Sequence, residues 1–166
     1  MSIRWGDDAR IADLIEVQEG RSPVPLLDGH AVRELLASSR RIAIVGASPR
    51  PDRPSYGVLH DLADAGYEVI PVNPQVDEID GITCFPTLEA AAATGPIDIV
   101  DVFRRADACV EPAQDAVRIG ARCLWLQLGI ANEETATRAR AKGLTVIMDK
   151  CIGRTHHALG IAKKSR

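Results

Sequence analysis

A ten-residue stretch, Gly46-Ala47-Ser48-Pro49-Arg50-Pro51-Asp52-Arg53-Pro54-Ser55, holds the chain's most suggestive chemistry. It follows an apolar run, Arg41-Ile42-Ala43-Ile44-Val45, and leads into helical spacing from Tyr56. A glycine there lets the backbone turn tightly, and a helix start beyond it presents N–H groups and a positive dipole end to an anion. Arg50 and Arg53 add fixed positive charge to the same loop. No Lys or Arg occurs between Arg53 and Arg104, and the cations resume at Arg104-Arg105 after a second apolar run. Two basic loops at the ends of two strands suit a small polyanion.

The loop is not a dinucleotide fingerprint. GxGxxG would place glycines at 46, 48 and 51, where Ser48 and Pro51 interrupt it. The end of the next apolar run should also offer an acid for a ribose diol, but it reads Val72-Asn73-Pro74-Gln75. Both departures weaken an NAD reading, while the missing acid is tolerable for NADP.

Other reactive residues are less ordered. Cys84, Cys109, Cys123 and Cys151 form no CxxC pair and have no metal spacing. They read as reduced thiols, with Cys84, Cys109 and Cys123 structural. Cys151 follows Met148-Asp149-Lys150 on the ligand side of the sheet, where it reads as a buried small hydrophobe, with a functional thiol favoured by Lys150 as the alternative. His30 and His60 read as surface or packing residues, His156-His157 as part of a tail of unassigned role. No serine–histidine–acid triad follows from spacing, and no metal site is expected.

Strands alternating with helices must position these residues. Apolar runs at 41–45, 67–72, 97–103, 122–127 and 144–148, with a short one near 82–84, read as strands. Helical spacing lies between them, ending at Gly66, Gly120 and Gly143, with Asn132 as an N-cap. The expected fold is α/β: a Rossmann-like, doubly wound, mainly parallel sheet with helices on both faces. Asp28 is expected to cap a helix over roughly 30–39. Before it, Ile11, Leu14, Ile15 and Gln18 have amphipathic spacing, and Ser22-Pro23-Val24-Pro25 breaks any helix. The expected organisation is an extension over 1–28, one domain over 29–157, and a polar tail over 158–166.

The chain has 166 residues, 20 Lys+Arg, 23 Asp+Glu and 4% aromatics. A net charge of −3 and few stacking rings argue against nucleic acid. No apolar run approaches a membrane span, and the first residues carry no signal core, so a cytoplasmic protein is expected.

The motifs can now be taken together. Gly46-Ala47-Ser48 with Arg53-Pro54-Ser55-Tyr56, and Ile70-Pro71-Val72-Asn73-Pro74, resemble the small CoA-binding-domain proteins. So do Asp98 to Arg105, Leu124 to Gly129, and Val146 to Cys151. These proteins are stand-alone relatives of the N-terminal domain of the succinyl-CoA synthetase alpha subunit. The resemblance implies coenzyme A as the ligand, held across the carboxyl ends of the strands. It puts Gly46, Ala47, Ser48, Arg53, Pro54 and Ser55 at the phosphates, and Asn73 and Pro74 beside the nucleotide. Val102, Phe103 and Arg104 would line the next loop, with Gln127, Gly129 and Cys151 beyond. The synthetase's phosphorylated histidine lies outside that domain, and its nucleotide site is in a partner subunit. The expectation is therefore a CoA or acyl-CoA binding protein without independent catalytic activity. The alternatives are an NADP-binding oxidoreductase and an acyl-CoA-sensing regulatory subunit, with a homodimer or a partner enzyme as the setting.

Overall fold

The computed structural model describes residues 29–165. The amphipathic spacing at 11–18 and the Asp28 cap lie outside them.

Five parallel strands form the central sheet: β1 (Arg41–Val45), β2 (Glu68–Val72), β5 (Ile99–Val102), β6 (Cys123–Leu126) and β7 (Thr145–Ile147), in the order β2-β1-β5-β6-β7. Two-residue strands β3 (Glu78–Ile79) and β4 (Ile82–Thr83) make a separate antiparallel hairpin. The helices are α1 (Gly29–Ser38), α2 (Pro54–Asp64), α3 (Leu88–Ala92), α4 (Val110–Arg118), α5 (Glu133–Ala141) and α6 (Ile152–Ala158). Strand order reverses between β1 and β5, so both neighbours of β1 leave from the switch point. This is the doubly wound Rossmann-like arrangement expected.

Alternation along each strand feeds two cores, as the two-residue period of a pleated sheet requires. Ile42, Ile44, Ile99, Trp125 and Ile147 pack with Leu36, Leu59, Leu62 and Ile152 under α1, α2 and α6. Ala43, Val45, Val100, Val102, Leu124 and Leu126 pack under α3, α4 and α5. The second layer is built on alanines, Ala91, Ala113, Ala116, Ala136 and Ala139, which bring its helices close to the sheet. Asn132 does cap α5, its Oδ1 accepting from Thr135 N at 3.0 Å.

Two features depart from the sequence reading. Residues 152–158 form α6, which was not anticipated, and the segment expected as a polar tail is docked onto the domain. Leu159 is buried, Ile161 packs against the same core, and Lys164 N donates to Ala65 O at 2.9 Å. Gly66 makes that docking possible: at φ +92°, an added Cβ would lie 2.4 Å from Lys164 O. Asp101, within a run expected as a strand, lies in β5 with both carboxylate oxygens buried and no hydrogen-bond partner. Burial pushes its pKa well above the usual carboxylate range.

Candidate functional site

The site begins where β1 and β5 stop. Gly46 turns at φ +84°, and a Cβ built on it would fall 2.6 Å from the carbonyl oxygen of Phe103. Only glycine permits both that conformation and that approach. Phe103 N donates to Val45 O at 2.9 Å, and Gly46 N to Val72 O at 3.1 Å. The loops after β1, β2 and β5 therefore leave the sheet edge side by side.

Side chains then tie these loops together. Asn73 Nδ2 donates to Ala47 O at 2.8 Å, joining the β2 loop to the β1 loop. Ser48 N donates to the buried Ser55 Oγ at 3.1 Å, folding the long loop back on the start of α2. Gln127 Oε1 accepts from Ile152 N at 3.0 Å, and Asp149 Oδ1 from Gly129 N at 2.7 Å. Those two bonds join the β6 loop to the segment after β7. Asn132 Nδ2 donates to Ala106 O at 2.9 Å, bridging the loops after β5 and β6. Ser55, Asn73 and Gln127, expected as ligand contacts, thus also hold the frame of the site through their side chains.

The framed space is an open cleft of about 1030 Å³. Five arginines line it, Arg50, Arg53, Arg104, Arg105 and Arg154, against a single lining carboxylate, Asp61. Arg50 forms a bidentate pair with Asp52 at 3.1 and 2.9 Å, and Arg105 pairs with Asp107 at 3.1 Å. Arg53 is the N-cap residue of α2 without a side-chain cap bond, and Pro54 stands in the first turn. The positive end of the α2 dipole thus joins the arginines in one wall. Five arginines, two of them paired with neighbouring acids, are thus gathered in one cleft of a chain of net charge −3, an arrangement suited to an anion.

Twelve of the fourteen expected residues line this cleft: Gly46, Ala47, Ser48, Arg53, Pro54, Ser55, Asn73, Phe103, Arg104, Gln127, Gly129 and Cys151. Two do not. Val102 is fully buried, its side chain in the core beneath the edge, and Pro74 is exposed on the loop outside the lining. Arg154 was missed because its helix was missed. Gly57, Val58 and Asp61 lie further along α2, where helical spacing alone does not say which face meets the cleft. Leu128, 53% exposed, and Ile130 add an apolar end to the cleft. Cys151, 9% exposed, is the N-cap residue of α6, while Lys150 is itself buried and its carbonyl accepts from Trp125 Nε1 at 2.9 Å.

The remaining histidines lie outside the cleft lining. His30 faces Glu34 at 3.4 Å on exposed helix surface. His60 Nε2 lies 2.9 Å from Asp80 Oδ2, which also accepts from the Tyr56 hydroxyl, latching the β3–β4 turn to α2. His156 is buried against Tyr67, and neither it nor His157 is among the residues lining the cleft.

Comparison with known proteins gives this cleft its context. Residues 40–157 match the family described as CoA binding domain. A Bacillus subtilis protein, uncharacterized protein YneT, is 46% identical over 125 residues, covering 75% of this chain and 91% of that protein. A solved structure from Pyrococcus horikoshii, a hypothetical protein, superposes with a TM-score of 0.76 at 34% identity, covering 80% of this chain and 92% of that one. The dinucleotide-forming acetyl-coenzyme A synthetase 1 of Ca. Korarchaeum cryptofilum superposes at 0.59 with 25% identity, over 69% of this chain but 26% of its own. A family match over residues 40–157, with a relative 46% identical over 125 residues, makes this protein a member of the CoA-binding-domain family.

Proposed function

We propose that the cleft binds coenzyme A and that the domain acts as a binding module without catalysis of its own. The observation that carries this reading is the pairing of five lining arginines with Asn73, rather than an acid, at the end of β2. Coenzyme A has a diphosphate and a ribose phosphate, three phosphates spread along one molecule. Dispersed guanidinium groups match them through charge-assisted hydrogen bonds, and an acid beside the ribose would repel its phosphate. The residues present fit the ligand in kind. Arg50, Arg53 and the start of α2 supply one anion subsite, and Arg104 and Arg105 a second on the facing loop. The pantetheine arm then runs toward Gln127, Gly129 and Cys151.

Leu128 and Ile130 favour a second reading of the same site, in which the ligand carries an acyl group that meets this apolar end and the domain reports acyl-CoA to a partner. Calorimetric titration with coenzyme A, acetyl-CoA, a longer acyl-CoA, NADP and NAD separates the readings. Tightest binding of coenzyme A supports the module, and a gain with acyl length supports the acyl-CoA reading. Comparable or tighter NADP binding overturns both. Incubated with coenzyme A, a carboxylic acid and ATP or GTP, the chain should form no acyl-CoA, and turnover would end the claim that it lacks catalysis.

A further inference from the structure

A second concavity lies on the opposite layer of the molecule, between α4 and α5. It has a volume of about 430 Å³, with Val110, Ala113, Val117, Ala139 and Ala141 among its lining residues. Val110 is 41% exposed, and among the described residues only it and Leu128 are large exposed hydrophobics. Leu128 belongs to the cleft already discussed. Val110 sits at the mouth of a groove that no described residue covers.

The chain itself carries a segment of matching shape and charge. Ile11, Leu14, Ile15 and Gln18 fall at i, i+3, i+4 and i+7, the spacing of one helical stripe. Residues 5–19 hold Asp7, Asp8, Asp13, Glu16 and Glu19 against Arg10 alone. On the α5 side of the groove Arg138 pairs with Glu134 at 2.6 Å, and Lys142, exposed at the cap, adds a positive charge at the end. The path is short as well. Ala31 of α1 and Thr145 of β7 line one recess. Lys142, at the near end of the groove, is three residues before Thr145, so their Cα atoms are within about 11 Å. Residues 19–28 reach about 33 Å when extended. The free edge of β7 leaves that route open, since β7 is the last strand in the sheet order.

We infer that residues 10–19 dock their apolar stripe into the α4–α5 groove of the same chain, with their acids toward Lys142. Tethering favours this occupant over a second copy, because a short linker holds the segment at an effective concentration in the millimolar range. The inference is independent of what occupies the cationic cleft.

Zero-length carbodiimide cross-linking of the full chain at low concentration, followed by peptide mapping, tests it. The expected product has monomer mass and joins Lys142 to an acid among Asp13, Glu16 and Glu19. Links from these acids only to Lys163 or Lys164, links only at dimer mass, or no link at Lys142 would each overturn it. The paired variant Leu14→Asp with Ile15→Asp keeps every native acid. It should cut the Lys142 link roughly tenfold or more, since it would bring two charges to an apolar groove. Val110→Asp, a change on the groove side at an exposed position, should do the same. Unchanged linking in both variants would mean proximity without docking and would also overturn the inference.

Discussion

The Tyr67 hydroxyl and His156 Nδ1 lie 2.9 Å apart, joining the start of β2 to α6 across a sequence separation of 89 residues. The same hydroxyl donates to Leu36 O at 2.9 Å. One phenolic proton cannot serve both, so with Leu36 O as its acceptor the Tyr67 oxygen accepts from Nδ1–H of His156. Both charge states of the ring carry this N–H, and burial, with Lys164 and His157 adding to it, holds the pKa of His156 below the ordinary value.

A pH dependence of stability follows. Above about pH 6.5 both folded and unfolded chains hold a neutral imidazole, and the full stability is present. As pH falls, the unfolded chain takes up this proton first, so stability is lost down through the folded pKa. His156→Asn keeps a donor for the Tyr67 oxygen but cannot titrate. Thermal melts between pH 8 and 5 should show a shallower acid-side fall for this variant. Parallel curves for the two proteins would refute the assignment.

Asp101 predicts the opposite slope. Its folded pKa is raised by burial, so its contribution is full below the ordinary carboxylate range, about pH 3.9, and is lost as pH rises through the folded value. Asp101→Asn should be more stable than the parent at pH 8, and its advantage should shrink toward pH 4. A stability difference that is the same at both pH values would show that the carboxyl group does not titrate as a buried, unpartnered acid.

Arg53 is expected to meet a phosphate of the ligand. Removing one charge-assisted hydrogen bond in Arg53→Ala should weaken coenzyme A binding by roughly tenfold to a hundredfold. Comparing coenzyme A with dephospho-coenzyme A on both proteins identifies which phosphate is involved. Equal affinity of parent and variant for coenzyme A removes Arg53 from the contact set.

The cysteines should differ in reactivity. Burial pushes the thiols of Cys84, Cys109 and Cys123 upward, and none of the three lines the cleft. Cys151 does line it. Iodoacetamide should therefore label Cys151 fastest in the folded protein, and saturating coenzyme A should slow it. If its labelling rate is the same with and without bound ligand, Cys151 is not a wall of the ligand site.

The sheet was readable because every strand is an apolar run bounded by turn residues, and Gly66, Gly120 and Gly143 mark where helices end. Helix α6 was not, since Ile152-Gly153-Arg154-Thr155-His156-His157-Ala158 mixes a glycine, β-branched residues and two histidines. Its helicity is set by docking: Ile152 is fully buried, and the Arg33 guanidinium donates to Leu159 O at its end. Arg154 stayed hidden with it. Strand β3 is two residues long and exists through its pairing with β4, which leaves no periodicity to read. At the site the sequence supplied positions better than roles. Residue type does not say whether the amides of Asn73 and Gln127 or the hydroxyl of Ser55 also bond an adjoining loop, and in the fold each of the three does.

The contact between Gly46 and Phe103 gives the cleft a fixed gauge. With backbone against backbone at that point, the two arginine-bearing loops stand at the smallest separation that two chains allow. A methyl group at residue 46 would act as a wedge driven between them, spreading Arg53 from Arg104 without altering either cation. Charge would be conserved while its spacing changed, so the affinity of Gly46→Ala for a polyanion would report the spacing of the cations apart from their number.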